Sequence, residues 1–479
     1  MFTSNFPEPV YRICQAVNSA GGRAMLVGGT VRDMLLGIPP KDFDIEVSWI
    51  YPEHLEEIVK SLDPDSFGAR GKQFEVMNAR FGEWSVDISI PRWDSKCAPG
   101  HKGFVISGDP FMSMEDAARR RDFTVNSMGF NPLNGELADF FGGRKDLNEK
   151  ILRATDTVLF RDDPLRVLRA MQFAGRFGFS VEPETMAVCI YMTGQNEFAE
   201  LPSARIGEEW RKLLLQSPRP SVGLEVGLAT GAFHVLHPEL VKLVGCPQNP
   251  VWHPEGSVWN HTLMTTDEAA ELVRFYRLTG DPALVGMVSA LGHDLGKPAT
   301  TKFEDGRWKS KGHDSAGIMP ARDFLSRMQF GNDVNERVQA LIREHLAPVN
   351  IAQVPHRAGR ESAVRKLANR LAPATIDQLA LVSEADQRGR AVTLDKVDGV
   401  DEMLEIAEKF NITDGKPFKI LTGRHLIDRL GWEPYPKGVR FQPILETVFQ
   451  AQLDGQITTV DEGLEMAEQL RRNMEDGED

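Results

Sequence analysis

The stretch that most constrains this chain is a glycine pair followed by two aspartates in alternation. It reads Leu26-Val27-Gly28-Gly29-Thr30-Val31-Arg32-Asp33-Met34-Leu35-Leu36-Gly37, then Lys41-Asp42-Phe43-Asp44-Ile45. Met25-Leu26-Val27 reads as a short buried strand. The glycines let backbone N–H groups approach a phosphate, and Val31 to Leu36 reads as a helix whose N-terminal end faces the same anion. Phe43 and Ile45 alternate with Asp42 and Asp44, so both carboxylates leave one face of a strand. Carboxylates are hard oxygen ligands, suited to Mg²⁺ shared with substrate phosphates. A lone D-x-D also fits a solvated pair. The ordered run of strand, glycine turn, helix and paired carboxylates points to a nucleoside triphosphate site.

With 479 residues the chain has room for about three or four domains, and 41% hydrophobic residues can build a substantial core. No apolar run approaches the ~20 residues of a membrane span, so no membrane partner is expected. The first residues, Met1-Phe2-Thr3-Ser4-Asn5, lack the basic and apolar regions of a signal peptide. Cys14, Cys97, Cys189 and Cys246 are scattered without a C-x-x-C pair. They fit a reducing cytoplasm and argue against a zinc ribbon or disulfide framework.

Net charge is −14, yet RNA binding needs local rather than total positive charge. Arginines cluster at 119–121, at 161, 166, 169 and 176, and again from Arg357 to Arg370, while acid is concentrated in the tail from Asp461. Residues 6 to 20 read as a helix. Phe74-Glu75-Val76 and Trp84 to Ile90 alternate as strands. From about residue 160 nearly everything carries helical periodicity, with Pro- and Gly-containing breaks at Gln216–Pro220 and Gly245–Pro250 and a further shift near 395. The expected fold class is α+β, a mixed-sheet head followed by an all-helical body.

The opening run resembles the signature of class II tRNA nucleotidyltransferases and bacterial poly(A) polymerases, within the polymerase-beta-like nucleotidyltransferase superfamily. Arg120-Arg121-Asp122-Phe123-Thr124-Val125-Asn126-Ser127-Met128 resembles that family's second motif. Arginine forks suit triphosphate oxygens, and an Asp–Arg pair suits ribose hydroxyls. The resemblance places Arg121 and Asp122 at the ribose and has Asn126 order the site, with Gly28, Gly29 and Arg32 also binding nucleotide. Asp87, on an alternating strand, is either a third catalytic carboxylate beside Asp42 and Asp44, polarising the attacking 3′-hydroxyl, or an edge-strand aspartate in solvent. Asp139 to Leu147 is similar to the third motif, which implies a flexible element coupling head to neck.

Asp162-Asp163-Pro164-Leu165-Arg166-Val167-Leu168-Arg169 bears on substrate choice. Pro164 suits a first helical turn, Asp163 can cap it, and Asp163 and Arg166 are spaced to share a helix face. A carboxylate can accept from cytosine N4 or adenine N6, and an arginine can donate to the neighbouring ring acceptor. Uracil and guanine would leave Asp163 facing a carbonyl, which is strongly disfavoured. A cap with an i,i+3 salt bridge explains the same two residues. The resemblance implies a protein-built template for C and A, with Arg169 also binding nucleotide. Asp162 stands where the family usually has Glu. Leu201 to Trp210 resembles the helical element that supports the neck.

A second set of residues is histidine-rich: His261, His293-Asp294 within Leu291 to Lys297, His313, His345 and the distant Asp386. Imidazole with carboxylate suits a divalent transition metal more than Ca²⁺. The set resembles that of the HD phosphohydrolase superfamily. It implies His261, His293, Asp294 and Asp386 as metal ligands, with His313 and His345 for phosphate or a second metal.

Together the resemblances imply a nucleotidyltransferase head at 1–155, a helical neck and RNA-binding region at 156–250, an HD domain at 251–395 and a helical tail at 396–479. The implied activity is addition of CCA to tRNA from CTP and ATP, with Mg²⁺ on Asp42 and Asp44. HD relatives also have phosphatase and 2′,3′-cyclic phosphodiesterase activities. The alternatives are an A-adding or CC-adding enzyme or a poly(A) polymerase of the same family, and an RNA-binding phosphohydrolase with an inactive head. A full-length segment from Pro91 to Met114, with Gly100, Gly103 and Gly108, argues against a CC-adding enzyme. The HD ligands and acidic tail argue against a poly(A) polymerase. Leu421 to Ile427 resembles the last family motif, but Glu433 to Gly438 departs from its usual pattern.

Overall fold

Alternation of apolar and polar residues builds the strands of the N-terminal third in the computed structural model, which describes residues 6–40, 42–70, 76–96, 104–392, 397–435 and 439–475. Lys41, Phe74, Glu75, Cys97, Gly100, Gly103, Pro436, Lys437, Gly438 and residues 1–5 and 476–479 lie outside the described residues, as does the expected boundary near 395. The strands are β1 (Arg23–Val27), β2 (Asp42–Ser48), β3 (Ser66–Arg70), β4 (Val76–Phe81), β5 (Trp84–Ser89), β6 (Arg92–Lys96), β7 (Phe104–Gly108), β8 (Gly129–Phe130) and β9 (Leu137–Ala138). Seven of them form one mixed sheet in the order β3-β4-β5-β2-β1-β8-β9, and β6 and β7 pair separately as a hairpin.

Two compact units divide the chain, one of Met1–Leu213 with Val222–His237 and one of Leu214–Ser221 with Pro238–Asp479. In the first, β2 is central. Phe43, Ile45 and Val47 are buried on one face, whereas Asp42 and Asp44 leave the other. Phe43 packs edge-on against Phe6 and Trp84. β5 runs parallel to β2 with Asp44 opposite Asp87. Because β5 has neighbours on both sides, the edge-strand reading of Asp87 is overturned. The helix after the glycines spans Gly29–Leu35, starting earlier than the apolar spacing suggested, because Gly28 with φ +65° starts the turn. After the sheet in chain order come the helices Leu165–Phe177, Pro183–Thr193 and Ser203–Gln216, with Trp210 buried against Phe233 and His237.

In the second unit, helices Val258–Phe275, Gly280–Gly292, Asn332–Glu344 and Ile376–Arg388 pack on one another. Gly280–Gly292 is the central member, buried continuously from Ala283 to Gly292. The tail helices Gly423–Leu430, Phe441–Asp454 and Val460–Glu475 share a core of Leu426, Trp432, Ile444, Val448 and Leu464.

The expectation of an all-helical body fails in two places. β10 (Ile151–Leu152) pairs in parallel with β11 (Ser180–Val181). β12 (Lys302–Glu304) pairs with β13 (Arg307–Lys309) across a turn whose two residues, Asp305 and Gly306, both have positive φ. Asp-Gly is the sequence of a two-residue hairpin turn, because the primed turns it favours match strand twist. Helical periodicity on both sides hid that local signal.

Candidate active sites

The glycine turn brings three elements of the head together. Gly28 has φ +65°, a conformation that favours glycine, and a Cβ there would crowd Arg121 Nη1 at 3.1 Å and touch Asp44 Oδ2 at 3.8 Å. The next residue but one locks the aspartate strand in place. Thr30 Oγ1 accepts from the Asp44 N–H at 3.1 Å and donates to the Asp42 carbonyl at 3.4 Å. Sequence reasoning gave Thr30 no role, although a hydroxyl inside a glycine-turn helix was the available signal.

Burial raises the Asp44 carboxyl above the ordinary carboxylate range. Arg121 opposes that rise, and the charges of Asp87 and Asp42 add to it. Asp87 accepts from Asn78 Nδ2 at 2.7 Å. Three like charges around one strand pair, one of them held up by burial, form a donor set that a divalent cation satisfies.

A cavity of about 500 Å³ opens beside Asp44. Gly28, Gly29, Arg32, Arg121, Asp122, Asn126, Asp163, Arg166 and Arg169 all line it, whereas Asp42 and Asp87 do not. Arg92, Arg120, Arg176, Arg205 and Lys212 line it too, so its walls suit a polyanion. Glu46, two residues beyond Asp44 on the same strand face, holds Arg120 and Arg121 through one oxygen at 3.2 Å each.

Asp122 is buried and fully engaged. Its Oδ1 accepts from Asn126 at 3.0 Å and the Phe123 N–H at 2.8 Å, and its Oδ2 accepts from Arg169 Nε at 2.6 Å. Burial alone would raise its pKa, but Arg169, Asn126 and Arg166 outweigh it and hold the carboxyl below its usual range. Asn126 Oδ1 in turn accepts from Arg32 Nη1 at 2.7 Å. Asp122 is thus the hub of a buried network.

Asp163, extended at φ −115°, and Arg166 share the first turn of the helix, where the Asp163 carbonyl accepts from the Arg166 N–H at 3.0 Å. Their side chains form no ion pair among the described residues. Asp163 Oδ1 caps the helix by accepting from Leu165 N at 3.1 Å, and Oδ2 accepts from Arg205 Nη2 at 2.8 Å. Arg166 donates to the Leu159 carbonyl at 2.9 Å and the Arg120 carbonyl at 2.6 Å. Its Nε–H and one hydrogen on each Nη remain for another partner. The sequence placed Arg205 only in a supporting element. The third motif packs onto the second: Asp139 caps the helix Gly143–Glu149, and Thr124 Oγ1 donates to Asp146 at 2.7 Å.

The second unit gathers the histidines. Gly296 makes this possible, since a Cβ there would lie 2.0 Å from the His313 carbonyl. His293 and His345 sit at the C-terminal ends of their helices. In His293, His313 and His345 the Nδ1–H donates to a carbonyl three residues back, Ala290, Ser310 and Ile342, at 2.6–2.7 Å. That contact fixes the tautomer and turns each Nε2 lone pair inward.

The inward atoms fall into two groups around Asp294. His261 Nε2 is 3.0 Å from Asp386 Oδ1 and 3.3 Å from His293 Nε2, which is 3.2 Å from Asp294 Oδ2. On the other side His313 Nε2 is 3.4 Å from Asp294 Oδ1 and 3.2 Å from His345 Nε2. Asp294 Oδ2 is buried with no aligned hydrogen bond, although Lys297 Nζ approaches within 2.7 Å. Burial, with the charges of His313 and His293, pushes His345 down to about 3, so this imidazole is neutral. Inward imidazole lone pairs facing each other beside the buried carboxylates of Asp294 and Asp386 fit divalent cations.

Sequence reasoning missed His253 and Glu255. Glu255 Oε1 lies 2.8 Å from His253 Nδ1 and 3.0 Å from His261 Nδ1, the latter off the N–H axis. A carboxylate behind a ligand histidine fixes its orientation. The His-x-Glu just before the His261 helix was the signal.

Residues 24–153 match the poly A polymerase head domain, 178–243 a probable RNA and SrmB-binding site of polymerase A, and 258–389 the HD domain. The chain is 36% identical over 369 residues to the multifunctional CCA protein of Xanthomonas campestris pv. campestris, spanning 76% of this chain and 85% of that protein. To the protein of that name from Methylococcus capsulatus it is 34% identical over 380 residues, spanning 77% and 82%. Its fold is similar to that of the Bacillus stearothermophilus CCA-adding enzyme in complex with CTP, with TM-score 0.64 and 19% identity over 98% of this chain and 100% of that one. It is also similar to the Thermotoga maritima CCA-adding enzyme complexed with tRNA, with TM-score 0.59 and 18% identity over 97% and 96%.

Proposed function

The chain belongs to the family of the multifunctional CCA proteins, and from that premise we propose that it adds C, C and A to tRNA 3′ ends, drawing on CTP and ATP and releasing pyrophosphate. The observation that carries this reading is the facing of Asp44 and Asp87 on adjacent parallel strands, beside a cavity walled by arginines. Asp42 and Asp44 would hold Mg²⁺, which when bound offsets charge on the triphosphate and makes the primer hydroxyl more acidic. Arg121 and Arg120, steadied by Glu46, hold triphosphate oxygens. Asp87 orients the tRNA 3′-hydroxyl. The hydroxyl oxygen bonds to the α-phosphorus and gives up its proton to solvent, the bond from that phosphorus to the pyrophosphate oxygen breaks, and pyrophosphate leaves. Asp163 and the free donors of Arg166 face the base, accepting the amino group of C or A. Arg32, Asp122, Asn126 and Arg169 act through the network that holds the arginines.

The proposed organisation is the head at 1–155, the neck at 156–250, the HD domain at 251–395 and the tail at 396–479. Buried, unpaired Cys14, Cys189 and Cys246 suit the cytoplasm, and no helix among the described residues is long and apolar enough to cross a membrane. Incubating tRNA that lacks CCA with CTP, ATP or both, and sequencing the ends, tests the proposal. Ends ending in CCA with both nucleotides, and in CC with CTP alone, are expected. Addition of A alone or of a poly(A) tract would replace the reading with one of the family's other activities.

The histidine cluster supports a second activity, hydrolysis of phosphomonoesters or 2′,3′-cyclic phosphates at RNA 3′ ends. His261, His293, Asp294 and Asp386 would hold one divalent transition metal, and Asp294, His313 and His345 a second or the phosphate. Such a metal supplies an activated water near neutral pH. Lys297 and Arg390 neutralise phosphate charge. Water's oxygen joins phosphorus, the ester bond breaks and the freed alcohol oxygen takes the proton. Metal-dependent release of phosphate from a 3′-phosphorylated RNA is the test.

A further inference from the structure

Two exposed tryptophans stand at the cavity of the histidine cluster. This cavity, of about 320 Å³, is lined at depth by Asp294, His313, His345 and Asp386 and farther out by Trp252 and Trp308. Trp252 is 62% exposed and Trp308 37%. At a polar cavity their exposed ring surface offers a flat apolar platform that a ligand's ring can cover.

Both rings are held on defined backbone. Trp308 is opposite Phe303 in the hairpin register, and Phe303 meets it edge-on with centroids 5.1 Å apart. Phe303 does not line the cavity, so it backs Trp308 from outside. The base of the hairpin is tied down where Thr301 Oγ1 and Ser310 Oγ share a 2.8 Å hydrogen bond. Ser310 also receives His313 Nδ1 on its carbonyl at 2.7 Å, so the hairpin and a cluster histidine share one anchor. Trp252 adjoins His253 and lies in a turn closed by bonds from the Trp252 and His253 N–H groups to the Asn249 carbonyl at 3.1 and 2.9 Å.

We infer that Trp252 and Trp308 form a base-stacking clamp that holds the nucleobase of the nucleotide whose phosphate enters the histidine cluster. The inference rests on the phosphohydrolase reading of that cluster and adds its substrate class: a 3′-terminal nucleotide of any base. Every base has a π face, so stacking captures RNA ends without reading their sequence. Arg307, which also lines the cavity, supplies positive charge for the preceding backbone phosphate. A base-free phosphate ester reaches the same cluster but gains nothing from the clamp.

The test compares the full chain with Trp308→Ala, Trp308→Phe and Trp252→Ala. The substrates are a 3′-phosphorylated RNA oligonucleotide, a nucleoside 2′,3′-cyclic phosphate and glycerol 2-phosphate, which has no ring to stack. Binding of 3′-CMP and of inorganic phosphate is measured separately by calorimetry. Stacking on one aromatic ring is worth roughly five- to a hundredfold in affinity per base. Each alanine variant should therefore weaken 3′-CMP binding at least fivefold more than phosphate binding. It should raise KM for the two nucleotide substrates by a similar factor over that for glycerol 2-phosphate. Trp308→Phe should recover most of the loss. A larger effect on the oligonucleotide than on the mononucleotide identifies an RNA end as the ligand, and equal effects identify the terminal nucleotide alone. Equal change for 3′-CMP and phosphate, or no change in either, overturns the clamp. Wild-type protein that hydrolyses none of the substrates defeats the phosphohydrolase reading, while the 3′-CMP arm still decides the clamp.

Discussion

Arg205 Nη2 stands 2.8 Å from Asp163 Oδ2, so an arginine from the helix Ser203–Gln216 sets the direction of the carboxylate proposed to read the base. The other oxygen of Asp163 is fixed by Leu165 N. Both oxygens keep a lone pair for an incoming amino group, yet neither can swing away. The pair is partly exposed, so its worth to stability is about 1 kcal/mol or less. Its value lies in geometry. Arg205→Ala should lower kcat/KM for CTP and ATP together by about tenfold while moving Tm little, and Arg205→Lys should restore only part, since lysine lacks the planar fork. Unchanged nucleotide kinetics in the alanine variant would separate Arg205 from base selection.

Asp163→Ala should act differently. Removing the acceptor leaves C and A without their partner and removes the penalty on U and G. A good charged contact of this kind carries about 1–3 kcal/mol of discrimination. The ratio of kcat/KM for CTP over UTP, and for ATP over GTP, should fall roughly ten- to a hundredfold. A folded variant with unchanged ratios would leave Asp163 as a helix cap held by Arg205.

Asp42→Ala should abolish nucleotide addition and leave tRNA binding intact. Asp42 shares a strand face with Asp44 but lies outside the cavity lining and outside the arginine network, so its loss disturbs neither the network nor the fold. Filter binding of tRNA beside an addition assay distinguishes the two effects. Addition near the wild-type rate would remove Asp42 from catalysis.

How legible these sites were depended on how local their causes are. The glycine turn, the aspartate strand and the histidine set were readable because period-two alternation and Gly punctuation act within a few residues. The strand neighbour of Asp87 was not, because pairing β5 with β2 is a long-range event that no local pattern specifies. The i,i+3 spacing of Asp163 and Arg166 gave their shared first turn but not their side-chain partners, Arg205 for the one and the Leu159 and Arg120 carbonyls for the other, which are distant in sequence or set by folding. Arg205 and Glu255 were missed for a common reason: each acts through another residue, and only folding shows which. The Asp305-Gly306 hairpin was visible locally but lost inside strong helical periodicity on both sides.

His293→Ala should remove phosphohydrolase activity and spare CCA addition, because His293 belongs to the second compact unit and the arginine-walled cavity to the first. Chelation of transition metals should have the same effect on phosphate release, reversed by adding metal back. Glu255→Gln should fall between, lowering metal affinity about ten- to a hundredfold, since it orients His261 without entering the ligand group. Phosphate release that survives His293→Ala would place that chemistry elsewhere.

Asp122→Asn tests the buried network through pH. In the folded chain the Asp122 carboxyl is held below its ordinary value because Arg169, Asn126 and Arg166 outweigh the cost of burial. A depressed carboxylate stabilises the fold fully above its unfolded pKa of about 3.9, and that contribution is lost as pH falls through the lower folded value. Asparagine keeps the shape but leaves the partly exposed Arg169 without its nearest counter-charge, at a cost of about 1–2 kcal/mol at pH 7 once solvent screening is allowed for. The urea midpoint of the variant should therefore lie well below that of the parent at pH 7. The gap should narrow as the pH drops below about 4, because there the parent loses the same charge. Arg169, no longer fixed at 2.6 Å, would also let the cavity wall shift. Addition should then fall by at least tenfold even where the variant is folded. A gap in urea midpoint that stays constant from pH 7 down to pH 3 would mean that packing, not the Asp122 charge, holds this wall of the site.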